Sequence, residues 1–202
     1  MNAVTRSFGL HSALILAATC LFASSSQAQR GSAGPPAAPP TTTSAALPPA
    51  TKMEAFVPAA GTVYTFGYNE LGVVGAISVD AREIRDVRGT SVRGLVVDIS
   101  QGDYRREKAF IDADEIPELL KGIDALLDVR SNPTSFEQFE VHYKTRGGLD
   151  FTAFNMKGGA VSYSALAGRT TTARASVDEK GLRSLREMFL AGQNKLLSLG
   201  AK

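Results

Sequence analysis

The chain has 202 residues, 44% of them hydrophobic and 21% charged, and its 22 Lys and Arg against 20 Asp and Glu leave a formal charge of +2. These are the values of a globular protein rather than a disordered or membrane-embedded one. So small a net charge supplies no global field that would hold DNA, RNA or an anionic membrane.

At the N-terminus Arg6 precedes an almost wholly apolar run over 10–23, and small and polar residues follow, ending Ser26-Gln27-Ala28. A short positive region, an apolar stretch and small residues at −3 and −1 predict a bacterial-type secretory signal over 1–28, cleaved after Ala28 to leave Gln29 first. The run is too short, and too interrupted by His11 and Ser12, to be a permanent membrane span. The expected destination is the periplasm or the exterior. Cleavage would remove the only cysteine, Cys20, and one of the two histidines, His11. A mature chain without Cys and with one His can form no disulfide, thiol nucleophile, Cys-ligated metal site or two-histidine site. Cys20 itself lacks a lipoprotein context, because Ala17-Ala18-Thr19 precede it and apolar residues continue beyond it.

Residues 29–53 are rich in Pro, Ala and Thr and show no apolar period. Prolines remove backbone donors and hold φ near the polyproline value, which predicts a disordered or extended linker. One globular α+β domain is expected over 54–200. Its first strands are expected at 63–68, 74–81 with a continuation to 87, 92–100 and 104–111. A helix over 114–127 follows, with Ile116, Leu119, Leu120, Ile123, Leu126 and Leu127 on one stripe. Pro117 fits only the first turn of such a helix.

After Ser131-Asn132-Pro133 the order repeats. Strict alternation over 139–144 puts Phe139, Val141 and Tyr143 on one face, Gly147-Gly148 turn the chain, and 149–153, 161–165 and 171–175 complete a meander. Asp178 is the expected N-cap of a last helix carrying Leu182, Leu185, Met188, Phe189, Leu196 and Leu199. Gly181 and Gly192 weaken that helix by about 1 kcal/mol each relative to Ala, so packing must hold it. Ile116, Leu119 and Ile123 align with Leu182, Leu185 and Phe189 at one common offset. The predicted fold is therefore two loosely similar ββββα units, about 60–129 and 134–199, each helix covering its own antiparallel sheet. The opposite helix faces, with Lys121, Asp124, Arg183 and Arg186, are expected in solvent. The competing layout is a pleckstrin-homology-like barrel closed by a C-terminal helix.

In element order, over about 60–200, this repeat resembles the Whirly, Pur and PC4-type proteins, which bind single-stranded nucleic acid across their sheets. No diagnostic motif accompanies the order, so the resemblance implies an architecture and carries over no binding residue.

Side-chain constellations are sparse. His142 lies between Glu140 and Lys144 on the polar side of its strand, where it could tune a proton transfer, although a solvated charged face explains it better. Asp112, Asp114, Glu115 and Glu118 lack the spacing of a calcium loop and suit capping of the helix start. Arg82, Arg85, Arg88 and Arg93, joined by Arg105, Arg106 and Lys108, could form an anion patch, but interleaved Glu83, Asp86, Asp98 and Glu107 favour a salt-bridged surface. The candidate ligand patch is Arg82, Arg85, Arg105, Arg106 and His142. Tyr64, Phe66, Tyr68, Phe139, Tyr143, Phe151 and Tyr163 at period-two spacing read as core rather than as base-stacking platforms. No phosphate loop and no nucleophile elbow is present.

The expected function is thus an exported, non-catalytic binding domain without a cofactor. Its ligand would be an unknown protein or cell-surface group held by a sheet or an exposed edge strand, an edge that could also pair copies of the chain. A single-stranded nucleic-acid binder is the alternative, with nucleic acid disfavoured by charge. A small enzyme using carboxylates is the third reading.

Overall fold

The two alternating stretches fold as two four-stranded antiparallel sheets, each followed by a helix, and no closed barrel forms. The computed structural model describes residues 47–129, 133–156 and 159–200, which fall within one unit, Ala45–Lys202. The expected signal peptide and most of the expected linker lie outside the described residues. A single turn, α1 (Lys52–Ala55), precedes the first sheet, β1 (Tyr64–Val74), β2 (Ile77–Asp86), β3 (Ser91–Gln101) and β4 (Arg105–Asp112), in that spatial order. Helix α2 (Ile116–Leu127) leads to the second sheet, β5 (Glu140–Lys144), β6 (Leu149–Asn155), β7 (Val161–Ala167) and β8 (Ala173–Val177), and α3 (Glu179–Gly200) follows.

One hydrophobic cluster joins both sheets and both long helices. The first sheet contributes Ile77, Val79, Leu95, Val97, Ile99 and Ile111, and the second contributes Leu149, Phe151 and an alanine-rich set at 153, 165, 167, 173 and 175. Small side chains there let β7 and β8 lie close against β3 and β4. Leu119, Ile123, Leu185 and Phe189 are all completely buried, as their common spacing predicts. Asp178 caps α3 as expected, accepting from the Gly181 amide at 2.6 Å.

The helices, however, are exchanged between the units. α2 seats on β5 and β6 of the second sheet and on α3, while α3 runs mainly under β1, β2 and β3 of the first sheet. The expectation that each covers its own sheet is corrected. Periodicity fixes which face of a helix is apolar, but not which sheet that face meets. Two glycines allow the close approaches. A Cβ on Gly192 would stand 2.6 Å from Leu95 Cδ2 and 2.8 Å from Leu71 Cδ1, and one on Gly122 would overlap the Tyr143 ring. The helix faces expected in solvent are also joined: the Arg186 guanidinium donates to both Asp124 carboxylate oxygens, at 2.5 and 2.9 Å, clamping α3 to α2. That bond holds the Asp124 carboxyl below its ordinary range.

The N-terminal margin is packed slightly earlier than the expected linker end at 53. Thr51 is the cap of a capping box with Glu54, and the Lys52 and Met53 amides donate to the buried carboxylate of Asp112 at 2.9 and 3.3 Å. Asp112 therefore caps α1, not the helix that follows it, and Glu115, the N-cap of α2, makes no side-chain capping bond. Met53 forms a small second core with Ile84 and Val96 on the outer face of the first sheet, flanked by Phe56, Val92 and Phe110.

Candidate functional site

The five residues of the predicted ligand patch do not gather into one site. Arg82 and Arg85 are separated by an odd number of strand positions, so alternation places them on opposite faces of β2. Arg82 pairs with Asp80 at 2.9 Å, and Arg85 pairs with Glu83 at 3.0 Å, to which Arg93 also donates at 2.8 Å. The Arg93 bond is the main cause of a lowered Glu83 pKa. Arg106 is bonded to Asp98 at 2.5 Å, a carboxylate that also has Lys108 at 3.8 Å. Arg105 donates to the Thr172 carbonyl at 3.4 Å. These arginines therefore stand largely in ion pairs of the kind the interleaved carboxylates suggest.

His142 lies on the second sheet. Its Nδ1 is 3.2 Å from Asp150 and 3.1 Å from the Thr152 hydroxyl, and its Nε2 is 3.1 Å from Glu140. The Asp150 bond raises the imidazole pKa, partial burial opposes it, and Glu140 adds to the rise. A raised folded value means that the protonated pair contributes its stabilisation in full below the ordinary value of 6.5 and loses it as pH rises through the folded value. The side chain is 47% exposed, so screening leaves about 0.5 kcal/mol or less. Thermal melts across pH 5–8 should show that small decline in the parent chain and not in His142→Gln, and equal slopes in the two would remove His142 as its source. Among the described residues no three His, Cys, Asp or Glu side chains are grouped so as to hold a metal ion.

A different feature emerges on β1. Tyr64, Phe66 and Tyr68, expected in the core, are 43%, 56% and 78% exposed on the outer face of the first sheet. The cause is a β-bulge. Register runs Asn69↔Ala81 and Glu70↔Asp80, then jumps to Gly72↔Val79, leaving Leu71 as the extra residue. Because side chains alternate with period two, one inserted residue reverses the phase of everything before it. Val74 faces the core with Ile77 as its partner, while the even-numbered aromatics upstream face out, opposite Asp86, Ile84 and Arg82. Gly72 permits the bulge: its φ of +148° suits glycine, and a Cβ there would stand 2.6 Å from Met188 Cε. The spacing of Leu71 and Val74, odd and even in one strand, is the sequence signal that reveals a phase change.

Among the described residues β1 is also an edge strand, hydrogen-bonded to β2 alone. The other edges carry charge along their length: Arg105, Arg106, Glu107 and Lys108 on β4, and Glu140, His142 and Lys144 on β5, while β8 is only five residues long with Arg174 in it. Residues 64–69 of β1 carry none. A groove of about 320 Å³ runs beside the aromatics, lined by Phe66, Tyr68, Glu70, Asp80 and Arg82. The Tyr64 and Phe66 rings meet edge to face, with centroids 5.3 Å apart and planes at 79°, so they form no flat stacking platform. No helix among the described residues is long and apolar enough to cross a membrane. No family model matches this chain, and no curated protein matches it either.

Proposed function

We propose that the chain is an exported, non-catalytic interaction domain that binds an extended polypeptide segment along the free edge of β1. The observation that carries this reading is the uncharged edge over residues 64–69 with its three exposed aromatic side chains. Strands that are meant to stay unpaired are shortened, bulged or studded with charge, and this stretch has none of those protections before the bulge. A strand laid beside it gains main-chain hydrogen bonds for affinity, and alternate side chains on the aromatic face supply selectivity. Export is read from residues 1–28.

The single-stranded nucleic-acid reading is weaker on the same face. Glu70 and Asp86 stand among the aromatics and repel phosphates, Arg82 in the groove is paired with Asp80 at 2.9 Å, and the crossed rings of Tyr64 and Phe66 do not offer successive bases a common plane. A random displayed-peptide library and a labelled oligothymidine decide between them. Peptides with uncharged, alternating apolar sequences should be enriched on the parent chain and lost on Tyr68→Lys, with no oligonucleotide retained at low salt. Enrichment that ignores the β1 change would sink the edge-binding reading, and salt-sensitive oligonucleotide retention would favour the nucleic-acid one.

A further inference from the structure

Resting on that edge-binding reading, we propose that the segment laid along β1 is the β1 strand of a second copy of this chain, paired antiparallel across a twofold axis at Gly67. The two first sheets then become one eight-stranded sheet. An isologous contact of this kind requires a surface that is complementary to itself, and β1 has that property. With Gly67 opposite Gly67, Phe66 stands opposite the second copy's Tyr68, Thr65 opposite its Asn69, and Tyr64 opposite its Glu70. Each copy thus contributes one ring to each of two aromatic cross-strand pairs, a favourable class of neighbour on a sheet. Glu70 is the one charge within residues 64–70, and in this register it meets a tyrosine rather than another carboxylate.

The chemistry of the surroundings points the same way. Ile84, which is the partner of Phe66 across β1 and β2, belongs to the small outer core with Met53 and Val96, so the exposed rings extend an apolar surface already covered at its other end by α1. On the inner face Gly67 has no side chain, and a Cβ there would meet only the Glu83 carbonyl at 4.0 Å. At the proposed axis, then, β1 itself projects no side chain on that face, and the nearest neighbours there are Lys195, Leu196 and Leu199 at the end of α3. Self-pairing of β4 would instead bring its run of Arg105, Arg106, Glu107 and Lys108 to the seam and strip water from it.

The area sets the expected strength. At about 200 Å² per aromatic side chain, the exposed fractions of Tyr64, Phe66 and Tyr68 offer about 350 Å² per copy. Doubled, and with the strand backbones added, this gives an upper bound of about 1,000 Å², because edge pairing covers only the lateral side of each ring, and so places the interface at or below the lower end for a specific contact. The association is therefore reversible and dependent on concentration.

Sedimentation velocity of the full chain, from low to several hundred micromolar, tests the proposal. The weight-average mass should rise from the 21.3 kDa of one chain towards twice that value. The Phe66→Lys, Tyr68→Lys double variant should remain monomeric with an unchanged circular-dichroism spectrum and a melting temperature lowered by no more than a few degrees, since Phe66 packs only on Tyr64 and beside Ile84 and both side chains are largely exposed. Tyr104→Lys, at a fully exposed turn between β3 and β4, should associate like the parent. A dimer that persists in the double variant uses another surface and overturns the proposal. A chain that is monomeric throughout, yet captures displayed peptides in a manner lost on Tyr68→Lys, overturns the second copy as occupant and leaves the edge-binding reading standing. A monomer that captures none overturns both.

Discussion

Phe189→Ala should be among the most damaging single truncations in this chain, costing about 3–5 kcal/mol. The ring is completely buried on α3 and meets Phe151 of the second sheet edge to face, with centroids 6.2 Å apart. α3 lies chiefly under the first sheet, and this contact, with those to β7 and β8, ties it to the sheet of its own unit. Truncation leaves a cavity between both halves of the shared core, and partial collapse cannot refill it because the neighbouring face is already alanine-rich. Denaturant unfolding should show one cooperative transition, moved to lower midpoint with an unchanged slope, and the melting temperature should fall by roughly 10–15 °C. Leu119→Ala on α2 should behave alike, at about 2–5 kcal/mol. Two separate transitions, or a Leu119→Ala variant as stable as the parent, would mean that the two units do not share a core.

Much of this fold was legible because the relevant signals are local. Alternation over 139–144 and helical spacing from Ile116 to Leu127 are set by residues within a few positions of one another, and the element order follows from them. The parts that were not legible depend on events between distant segments or on one inserted residue. Period-two spacing in a strand over 63–68 reads Tyr64, Phe66 and Tyr68 as core, with Val74 opening a second strand, whereas one strand, Tyr64–Val74, holds them all. The bulge between Glu70 and Gly72 reverses the phase, so the three aromatics face out while Val74 faces in, and the glycine that permits it is one against which Met188 of the last helix packs too closely for a side chain. Asp112 precedes α2 in sequence and looks like its cap, yet its carboxylate is taken by amides at 52 and 53. Arg186 and Asp124 each lie on the polar side of a helix, and only the docking of α2 on α3 makes them partners. The arginines show the same limit: interleaved carboxylates foretell their ion pairs, whereas which of them share a sheet face is settled by strand alternation and register.

Gly122→Ala carries the sharpest test of the helix exchange, because two physical effects predict opposite signs. Alanine is the better helix former by about 1 kcal/mol, so α2 considered alone should be stabilised. In the folded chain a Cβ at this position would lie 2.2, 2.4 and 2.5 Å from Tyr143 Cδ2, Cε2 and Cγ. The overlap reaches the root of the ring, so a small rotation does not relieve it, and α2 must lift from β5 or Tyr143 must leave its rotamer. Overpacking of this kind typically costs about 1–3 kcal/mol, and a net loss of stability is expected despite the gain in propensity. Removing the obstacle should reverse the sign: on a Tyr143→Ala background, Gly122→Ala should be neutral or stabilising, giving a coupling of about 1 kcal/mol or more in a double-mutant cycle. Urea unfolding of the four chains measures it. A Gly122→Ala chain that is more stable than the parent with Tyr143 intact would show that α2 does not seat on β5. The same seat matters for β1, since α2 on the second sheet, Arg186 bonded to Asp124, and α3 under β1 connect the free edge to the whole core. An edge strand held that way is presented in one conformation, which reduces the ordering cost of whatever pairs with it.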